Sequence, residues 1–215
     1  MTKYLIINAD DFGMSKVFNE VILDLIKKKL ILSTSVLVTR VEDDQKEQFD
    51  DLILFSKNMN LSIGLHLEFE TNDYSSQIKI QFEKFKSILG FNPSHIDIHR
   101  SRSFKDSFSD VVEFCKNNNF PVRNRGKIFE ELKTTELNAF FGSIADFNEI
   151  EEWITKLEDG KYYEILFHPG KYDSNCKSSL NKDRERDVEH IEKLNSILED
   201  MDVAVVSYND LVAKF

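Results

Sequence analysis

The side chains of this chain that can perform acid–base or metal chemistry stand at the ends of apolar runs. Asp10 and Asp11 follow the run Tyr4-Leu5-Ile6-Ile7, and four of the five histidines lie in or directly after similar runs. Carboxylate oxygens and neutral imidazole nitrogens are the usual protein ligands of a divalent cation such as zinc. Two histidines with one carboxylate leave coordination positions free for water and a substrate. The pattern therefore predicts a divalent metal site.

The segment His95-Ile96-Asp97-Ile98-His99 indicates which histidines share a face. Side chains alternate along a strand, so His95, Asp97 and His99 point one way and the two isoleucines point the other. A polar face opposite an apolar one is typical of a barrel interior or rim. Asp11, His66 and His99 can then form the ligand set, although a lone histidine at a strand end is more often a hydrogen-bonding residue.

The two adjacent aspartates are expected to have different roles. A carboxylate that binds the cation loses its basicity, and we assign this role of metal ligand to Asp11. Asp10 can then remain a free carboxylate beside an activated water molecule and take its proton. The alternative is that one of them caps the helix that begins near Ser15, since aspartate is a good N-cap. Ser15 itself is the better candidate for that cap.

The elements that must position these residues alternate between strands and helices. Val17, Val21 and Leu25 recur at helical spacing after Ser15, and comparable patterns follow most of the β-rich runs. Parallel strands are usually connected through helices, and about seven such units favour an α/β barrel, whose chemistry gathers at the carboxyl ends of its strands. The predicted strands are 4–7, 33–39, 61–69, 94–99, 120–123, 162–168 and 202–208, with 124–147 irregular.

Composition limits the class of protein. The 215 residues, 41% of them hydrophobic, suffice for one domain over residues 1–215 with a real core. A net charge of −10 makes nucleic acid an unlikely partner, because a polyanion would be repelled. Cys115 and Cys176 stand far apart and form no metal or disulfide pattern, so we expect a reducing cytoplasm. No apolar run approaches the roughly 18 residues that a membrane span needs.

Four motifs in order resemble those of the YdjC/ChbG-like carbohydrate deacetylases: NADDFG at 8–13, GLHLEF at 64–69, PSHIDIH at 93–99 and FHPG at 167–170. Together they extend over nearly the whole chain. The resemblance implies a distorted (β/α) barrel of the polysaccharide-deacetylase type that binds one divalent metal, Mg²⁺ or Zn²⁺. Its expected activity is removal of the acetyl group from an N-acetylated sugar.

The same resemblance implies roles for individual residues. Asp11, His66 and His99 would hold the metal and Asp10 would be the base. His168 would be the general acid or a substrate contact, with protonation of the departing amine as its task. His95 and Asp97 would orient the ligands from behind, Asp97 as partner of an imidazole N–H.

The chain departs from the family pattern in two places. Its fourth-strand motif continues as Arg100-Ser101-Arg102-Ser103 where the family usually has further histidines, so the subsite beyond the metal must differ. Only 28 residues separate His66 from His95, which implies a more open cleft or a smaller substrate. Arg123 and Arg125 lie where the family often carries an arginine and are predicted to bind substrate, with a surface salt bridge as the alternative.

Two other functions remain open from the sequence. A metal-dependent phosphoesterase could use a similar barrel, although such sites usually gather more ligands around two or three metals. A catalytically silent sugar-binding protein is conceivable because of the altered stretch after His99. The expected partner is a small-molecule N-acetylated sugar, with no nucleic acid and no membrane, and a homodimer is an open alternative.

Overall fold

The computed structural model describes residues 2–99, 101–124, 132, 134–136 and 139–213, with the backbone alone for residues 101–105. Seven strands and seven α-helices alternate along these residues. The strands are β1 Lys3–Phe12, β2 Ser33–Val36, β3 Ser62–Leu67, β4 Ile96–Ile98, β5 Phe140–Phe141, β6 Tyr162–Phe167 and β7 Val203–Val206. The helices are α1 Lys16–Lys27, α2 Lys46–Asn58, α3 Tyr74–Leu89, α4 Ser101–Asn118, α5 Phe147–Thr155, α6 Arg184–Leu198 and α7 Tyr208–Ala213.

All the strand pairs are parallel, and β1 lies at the centre of the sheet. The order is β4-β3-β2-β1-β6-β5, and β7 pairs with the beginning of β1. Every residue of β1 from Leu5 to Phe12 is buried, because neighbouring strands and the surrounding helices cover it. The carboxyl ends of β1, β3, β4 and β6 therefore meet on one side of the sheet, as the alternation of strands and helices predicted.

The local signals explain most of the element boundaries. Ser15 caps α1, with its hydroxyl oxygen accepting a hydrogen bond from the Val17 N–H at 3.1 Å, so the predicted cap is confirmed. Phe18, Ile22 and Ile26 of this helix are buried against the sheet. None of the helices among the described residues has the length and apolarity needed to cross a membrane.

Three predicted elements differ in the structure. Residues 120–123 form one isolated bridge, Ile96 to Val122, where a strand was predicted, because only this pair comes into register with β4. The stretch 33–39 is extended only to Val36, after which a 3₁₀ turn covers Val38–Arg40. Strand β5 lies inside 124–147, which was predicted to be irregular; it has two residues and is therefore too short to show a periodicity.

Candidate active site

Asp10 and Asp11 both face one cleft, although adjacent side chains of a strand normally point to opposite faces. The pairing of β1 with β2 shifts its register between Ala9 and Phe12, and Asp11 has a left-handed backbone with φ of 72°. An irregularity of this kind inserts an extra residue and turns a side chain that would otherwise point away. The bulge thus explains why two negative charges can stand together at the end of a buried strand.

Asp11, His66 and His99 converge on one point. Asp11 Oδ1 lies 3.6 Å from His66 Nε2 and 3.3 Å from His99 Nδ1, and the two imidazole nitrogens are 3.3 Å apart. Ligands bound about 2.1 Å from a zinc ion in tetrahedral geometry are about 3.4 Å apart, so the triangle has the size of a metal-ligand set. Asp11 Oδ1 is buried and has no hydrogen-bond partner among the residues that the structure describes, which also fits a cation ligand.

Two of the three ligands of this triangle, His66 and Asp11, are held from behind by a second polar group. Asp97 Oδ1 contacts His66 Nδ1, in the position predicted for it. Arg184 Nη2 donates to Asp11 Oδ2 at 2.6 Å, leaving the other carboxylate oxygen toward the imidazoles. Such contacts fix which nitrogen or oxygen is offered to the metal.

Glu68 and Arg184 were missed from the sequence. Glu68 Oε1 lies 3.9 Å from His99 Nε2, a nitrogen that has no hydrogen-bond partner among the described residues. Alternation along β3 could have found Glu68, since it follows His66 by two residues on the same face. Arg184 is fully buried and reaches Asp11 from the first turn of α6, and no local pattern in the sequence signals this long-range contact.

Arg123, which was predicted to bind substrate, lies beneath the site. Its side chain is 2% exposed, and its donors bind Asp10 through both oxygens, at 2.7 and 2.8 Å, Asp97 at 2.8 Å and Glu164 at 2.9 Å. The guanidinium therefore has its charge and its donors engaged by three buried carboxylates and does not line the cleft. Arg125 lies outside the described residues, as does Arg100; of Ser101–Ser103 only the backbone is described.

His168 lines the same cleft as the residues of the ligand triangle. Its Nε2 is 3.8 Å from Asp10 Oδ2, and that oxygen is also 3.7 Å from His66 Nε2. Asp10 Oδ1 in addition accepts a hydrogen bond from Asn8 Nδ2 at 2.6 Å. A carboxylate and an imidazole thus stand on either side of the space beside the candidate metal position.

The charges around the site favour ionised aspartates. Burial alone would raise the pKa of Asp10, but the Arg123 guanidinium and His66 together outweigh it and the net pKa is lowered. Burial also opposes ionisation of Asp11, whose pKa is nevertheless held well below its usual range by His168, His99 and Arg184. For His168, burial lowers the pKa despite the two aspartates nearby. The resting site therefore offers two carboxylates that can act as ligand and as base.

His95, predicted to support the ligands, is packed inside the barrel. Its ring stacks on Tyr208 at 3.8 Å between centroids, and its Nε2 is 3.3 Å from Ser35 Oγ, which donates to Asp97. Gly64 makes room for it, because a Cβ there would come within 2.3 Å of His95 Nε2. Its hydrogen-bonding contact with the site runs through Ser35 to Asp97.

The buried ring of His95 gives a prediction about acid stability. Burial lowers the pKa of His95 from 6.5 to about 3, so below pH 6.5 the unfolded chain binds a proton that the folded chain does not. Stability then falls as the pH decreases from 6.5 toward 3. Between pH 7 and pH 5, we expect the free energy of unfolding of His95→Gln to fall by about 2 kcal/mol less than that of the wild type. Urea unfolding at pH 7 and at pH 5 measures the difference. Parallel losses in the two proteins would contradict this.

The site opens into a cleft of about 1220 Å³. Its lining includes the apolar side chains of Phe141, Ile144 and Leu166 and the charged side chains of Arg40, Glu42 and Lys177. The side chain of Ile144 is 70% exposed at the rim. The Arg40 guanidinium donates to both oxygens of Glu68, at 2.7 and 2.6 Å, so its charge is already compensated. The mixed lining suits a ligand with both polar and apolar faces.

Comparison with known proteins gives consistent results. A family model described as YdjC-like protein matches residues 4–76. The carbohydrate deacetylase of Clostridium beijerinckii is 28% identical over 252 aligned residues, covering 96% of this chain and 99% of that protein. A crystal structure of a protein from Enterococcus faecalis V583 superposes with a TM-score of 0.80 and 19% identity over 98% of this chain and 99% of that chain. A family 4 acetyl xylan esterase from Clostridium thermocellum, in complex with a cobalt ion, gives a TM-score of 0.56 at 14% identity over 98% and 91%.

The fold is a distorted (β/α) barrel of the polysaccharide-deacetylase type. The strand order leaves β4 and β5 at its two edges, which accounts for the distortion. The resemblance of the chain to the YdjC/ChbG-like family, predicted from its four motifs, is confirmed by the family model and by relatives that match most of its length.

Proposed function

We propose that this protein is a metal-dependent hydrolase that removes the acetyl group from an N-acetylated sugar, with residues 1–215 as one barrel domain. The observation that carries the proposal is the triangle of Asp11 Oδ1, His66 Nε2 and His99 Nδ1, with Asp10 beside it and His168 in the same cleft. The similarity to proteins named carbohydrate deacetylase supports the choice of an acetylated sugar.

The ligand set fits a divalent cation in size, chemistry and burial. A cation bound by Asp11, His66 and His99 would supply the positive charge that acidifies a water molecule and polarises the acetyl carbonyl. Asp97 holds the ring of His66 so that its Nε2 faces the site, and Arg184 holds the carboxylate of Asp11. The chain thus provides an ordered ligand set in a buried position.

Asp10 is the general base of the proposed reaction. Arg123 and Asn8 fix its carboxylate, and its Oδ2 faces the space between His66 and His168, where it can accept the proton of the attacking water. We therefore assign to Arg123 the orientation of this base, in place of the sugar contact that the sequence predicted.

His168 is the general acid of the second step. Collapse of the tetrahedral intermediate breaks the carbon–nitrogen bond, and the sugar amine leaves readily only when its nitrogen is protonated. His168 Nε2 faces the cleft that the ligand triangle also lines, where it can deliver that proton. The proton gained by Asp10 and the one lost by His168 balance, so exchange with water in the cleft restores both groups.

The geometry favours a deacetylase over a phosphoesterase with two metals. Among the described residues, the second Asp/His group that could hold a cation consists of Asp10, His66 and Asp97 and shares His66 with the first group. The guanidinium of Arg123 already binds both of its aspartates. A second dication next to this buried arginine would be repelled, which leaves room for one metal.

Removal of the metal is the direct test of the proposal. We expect dialysis against a chelator to abolish acetate release from N,N′-diacetylchitobiose, and one equivalent of Zn²⁺, Co²⁺ or Mg²⁺ to restore it, with elemental analysis giving the metal content. Incubation with a generic phosphomonoester serves as the control substrate and should release no phosphate. Activity that is indifferent to chelation would overturn the metal-dependent mechanism. Metal binding without any acetate release would instead indicate a silent sugar-binding protein.

A further inference from the structure

We propose that Ser143 is a positioning residue for His168 and fixes its ring with the proton on Nδ1, so that Nε2 exchanges protons with the substrate. The inference rests on the proposed function of His168 as general acid. It starts from a chain of buried polar groups that the ligand triangle does not include: His168, Ser143 and Asp187, which are 7%, 1% and 1% exposed.

The sheet brings Ser143 to His168. Strand β5 pairs in parallel with β6, Phe141 opposite Leu166, and the 3₁₀ turn Gly142–Ile144 that follows directly sets Ser143 beside His168. Gly142 permits the close approach, because a Cβ there would come within 2.4 Å of the Phe167 ring. The Ser143 carbonyl oxygen also accepts a hydrogen bond from Arg186 Nη2 at 2.5 Å, which ties this turn to α6.

The hydrogen bonds of Ser143 determine the tautomer of His168. The hydroxyl oxygen lies 2.9 Å from His168 Nδ1 and also contacts Asp187 Oδ2. A hydroxyl has one proton, and a carboxylate can only accept, so the proton of Ser143 goes to Asp187. Ser143 Oγ must then accept from His168, which places a proton on Nδ1 and leaves Nε2 without one in the neutral ring.

Asp187 also holds the backbone of His168. Its Oδ2 accepts from the His168 N–H at 2.8 Å, and that N–H lies 3.1 Å from Ser143 Oγ. Both the ring and the main chain of His168 are thus fixed by the same two residues. Because both the ring Nδ1 and the backbone N–H of His168 are held, its Nε2 stays directed into the cleft toward Asp10.

The tautomer defines the proton that the ring can deliver. When His168 takes up a second proton, that proton is on Nε2, which faces the cleft. Breaking of the carbon–nitrogen bond leaves the electron pair on the amine nitrogen, and the nitrogen takes the Nε2 proton. The ring returns to the neutral Nδ1–H form, and its hydrogen bond to Ser143 is kept throughout. Without Ser143, nothing among the described side-chain contacts would hold the proton on Nδ1.

The experiment compares two substrates that differ in their need for an acid. The amine of N,N′-diacetylchitobiose needs a proton to leave, whereas the phenolate of 4-nitrophenyl acetate leaves without one. In the zinc-loaded protein, we expect Ser143→Ala to lower kcat on the disaccharide by about 10- to 100-fold, with little change in KM. This loss is part of the roughly 10²- to 10⁴-fold rate enhancement that a general acid contributes. Its kcat on the aryl ester should stay within about twofold of wild type.

Two further variants separate positioning from a general structural role. His168→Gln should lower kcat on the disaccharide at least as much as Ser143→Ala, and the double variant should lose no more than His168→Gln alone, because both changes act through one group. Ser196→Ala is the matched control, since this exposed hydroxyl on α6 donates to Lys193 O of its own helix. Equal losses on both substrates, or additive losses in the double variant, would overturn the proposal.

A spectroscopic readout tests the tautomer directly. The ¹⁵N shifts of the His168 ring, assigned with the His168→Gln variant, should show the Nδ1–H form in the neutral wild type and the Nε2–H form in Asp187→Ala, where Ser143 is free to donate its proton to Nδ1. An Nε2–H ring in the wild type would refute the role of Ser143. This spectrum can be recorded without turnover, so it tests the inference separately from the proposed function. A wild-type protein that releases no acetate from either substrate would refute the proposed function. The ¹⁵N shifts would then still decide whether Ser143 fixes the tautomer of His168.

Discussion

Replacing Asp10 by asparagine is expected to lower kcat on N,N′-diacetylchitobiose by about 10²- to 10⁴-fold, the contribution of a general base. Asparagine keeps the shape of the side chain and can still accept from Arg123, but it cannot take a proton from water. The ligand atoms of Asp11, His66 and His99 are unchanged, so the variant should still bind one equivalent of Zn²⁺. Initial rates and elemental analysis of the same metal-loaded sample measure the two quantities.

The control for this substitution is Asp24→Asn. Asp24 is an exposed residue of α1 that pairs with Lys28 at 2.7 Å, far from the cleft chemistry, and the variant should keep the wild-type rate. Normal turnover in Asp10→Asn would remove Asp10 as the base. Loss of the metal from Asp10→Asn would show that its carboxylate belongs to the ligand set, contrary to the geometry of the triangle.

The largest effect on stability is expected for Arg123→Met. Arg123 forms ion pairs with three buried carboxylates, those of Asp10, Asp97 and Glu164, and a methionine would remove the positive charge that they share. Removing one partner of a buried ion pair typically costs about 3–5 kcal/mol. We expect the free energy of unfolding in urea at pH 7 to fall by at least this amount, and the pKa values of Asp10 and Asp97 to rise.

A matched control distinguishes this effect from the loss of any arginine. Arg40 forms a comparable forked pair with Glu68, but its side chain is 46% exposed, so Arg40→Met should cost only about 0–1 kcal/mol. If Arg123→Met does not fold, Arg123→Lys serves as a second variant, because it keeps the positive charge without the forked geometry. Its free energy of unfolding should lie below that of the wild type, and it should still fold. A stability of Arg123→Met equal to that of Arg40→Met would show that the buried carboxylates do not depend on the guanidinium.

The sequence predicts the parts of this fold that depend on local patterns. The helix after Ser15 follows from its apolar spacing and its cap, and the positions of Asp10, His66, His99 and His168 at strand ends follow from the alternation of strands and helices. Because parallel strands bring their carboxyl ends to one edge, residues far apart in the chain could be expected in one site.

What the sequence could not provide depends on long-range contacts. Arg123 ends the short predicted strand 120–123 and was expected to bind substrate, whereas the structure shows its side chain bound to three buried carboxylates beneath the site. Arg184 and Asp187 lie in the first turn of a largely polar helix, and both are buried because α6 begins directly against the site. Ser143 gains its partners through a two-residue strand that has no sequence signature.

The two aspartates of the candidate site lie on the central strand β1, whereas the connections at the rim of the cleft lie outside the sheet. The strand that carries both aspartates is hydrogen-bonded to β2, β6 and β7, so a change in its path would disturb most of the sheet. The surfaces that meet the rest of a substrate belong instead to connections at the rim, such as 39–42 and 175–180. A barrel built in this way can acquire a preference for a different sugar through its loops while the reaction at its centre stays the same.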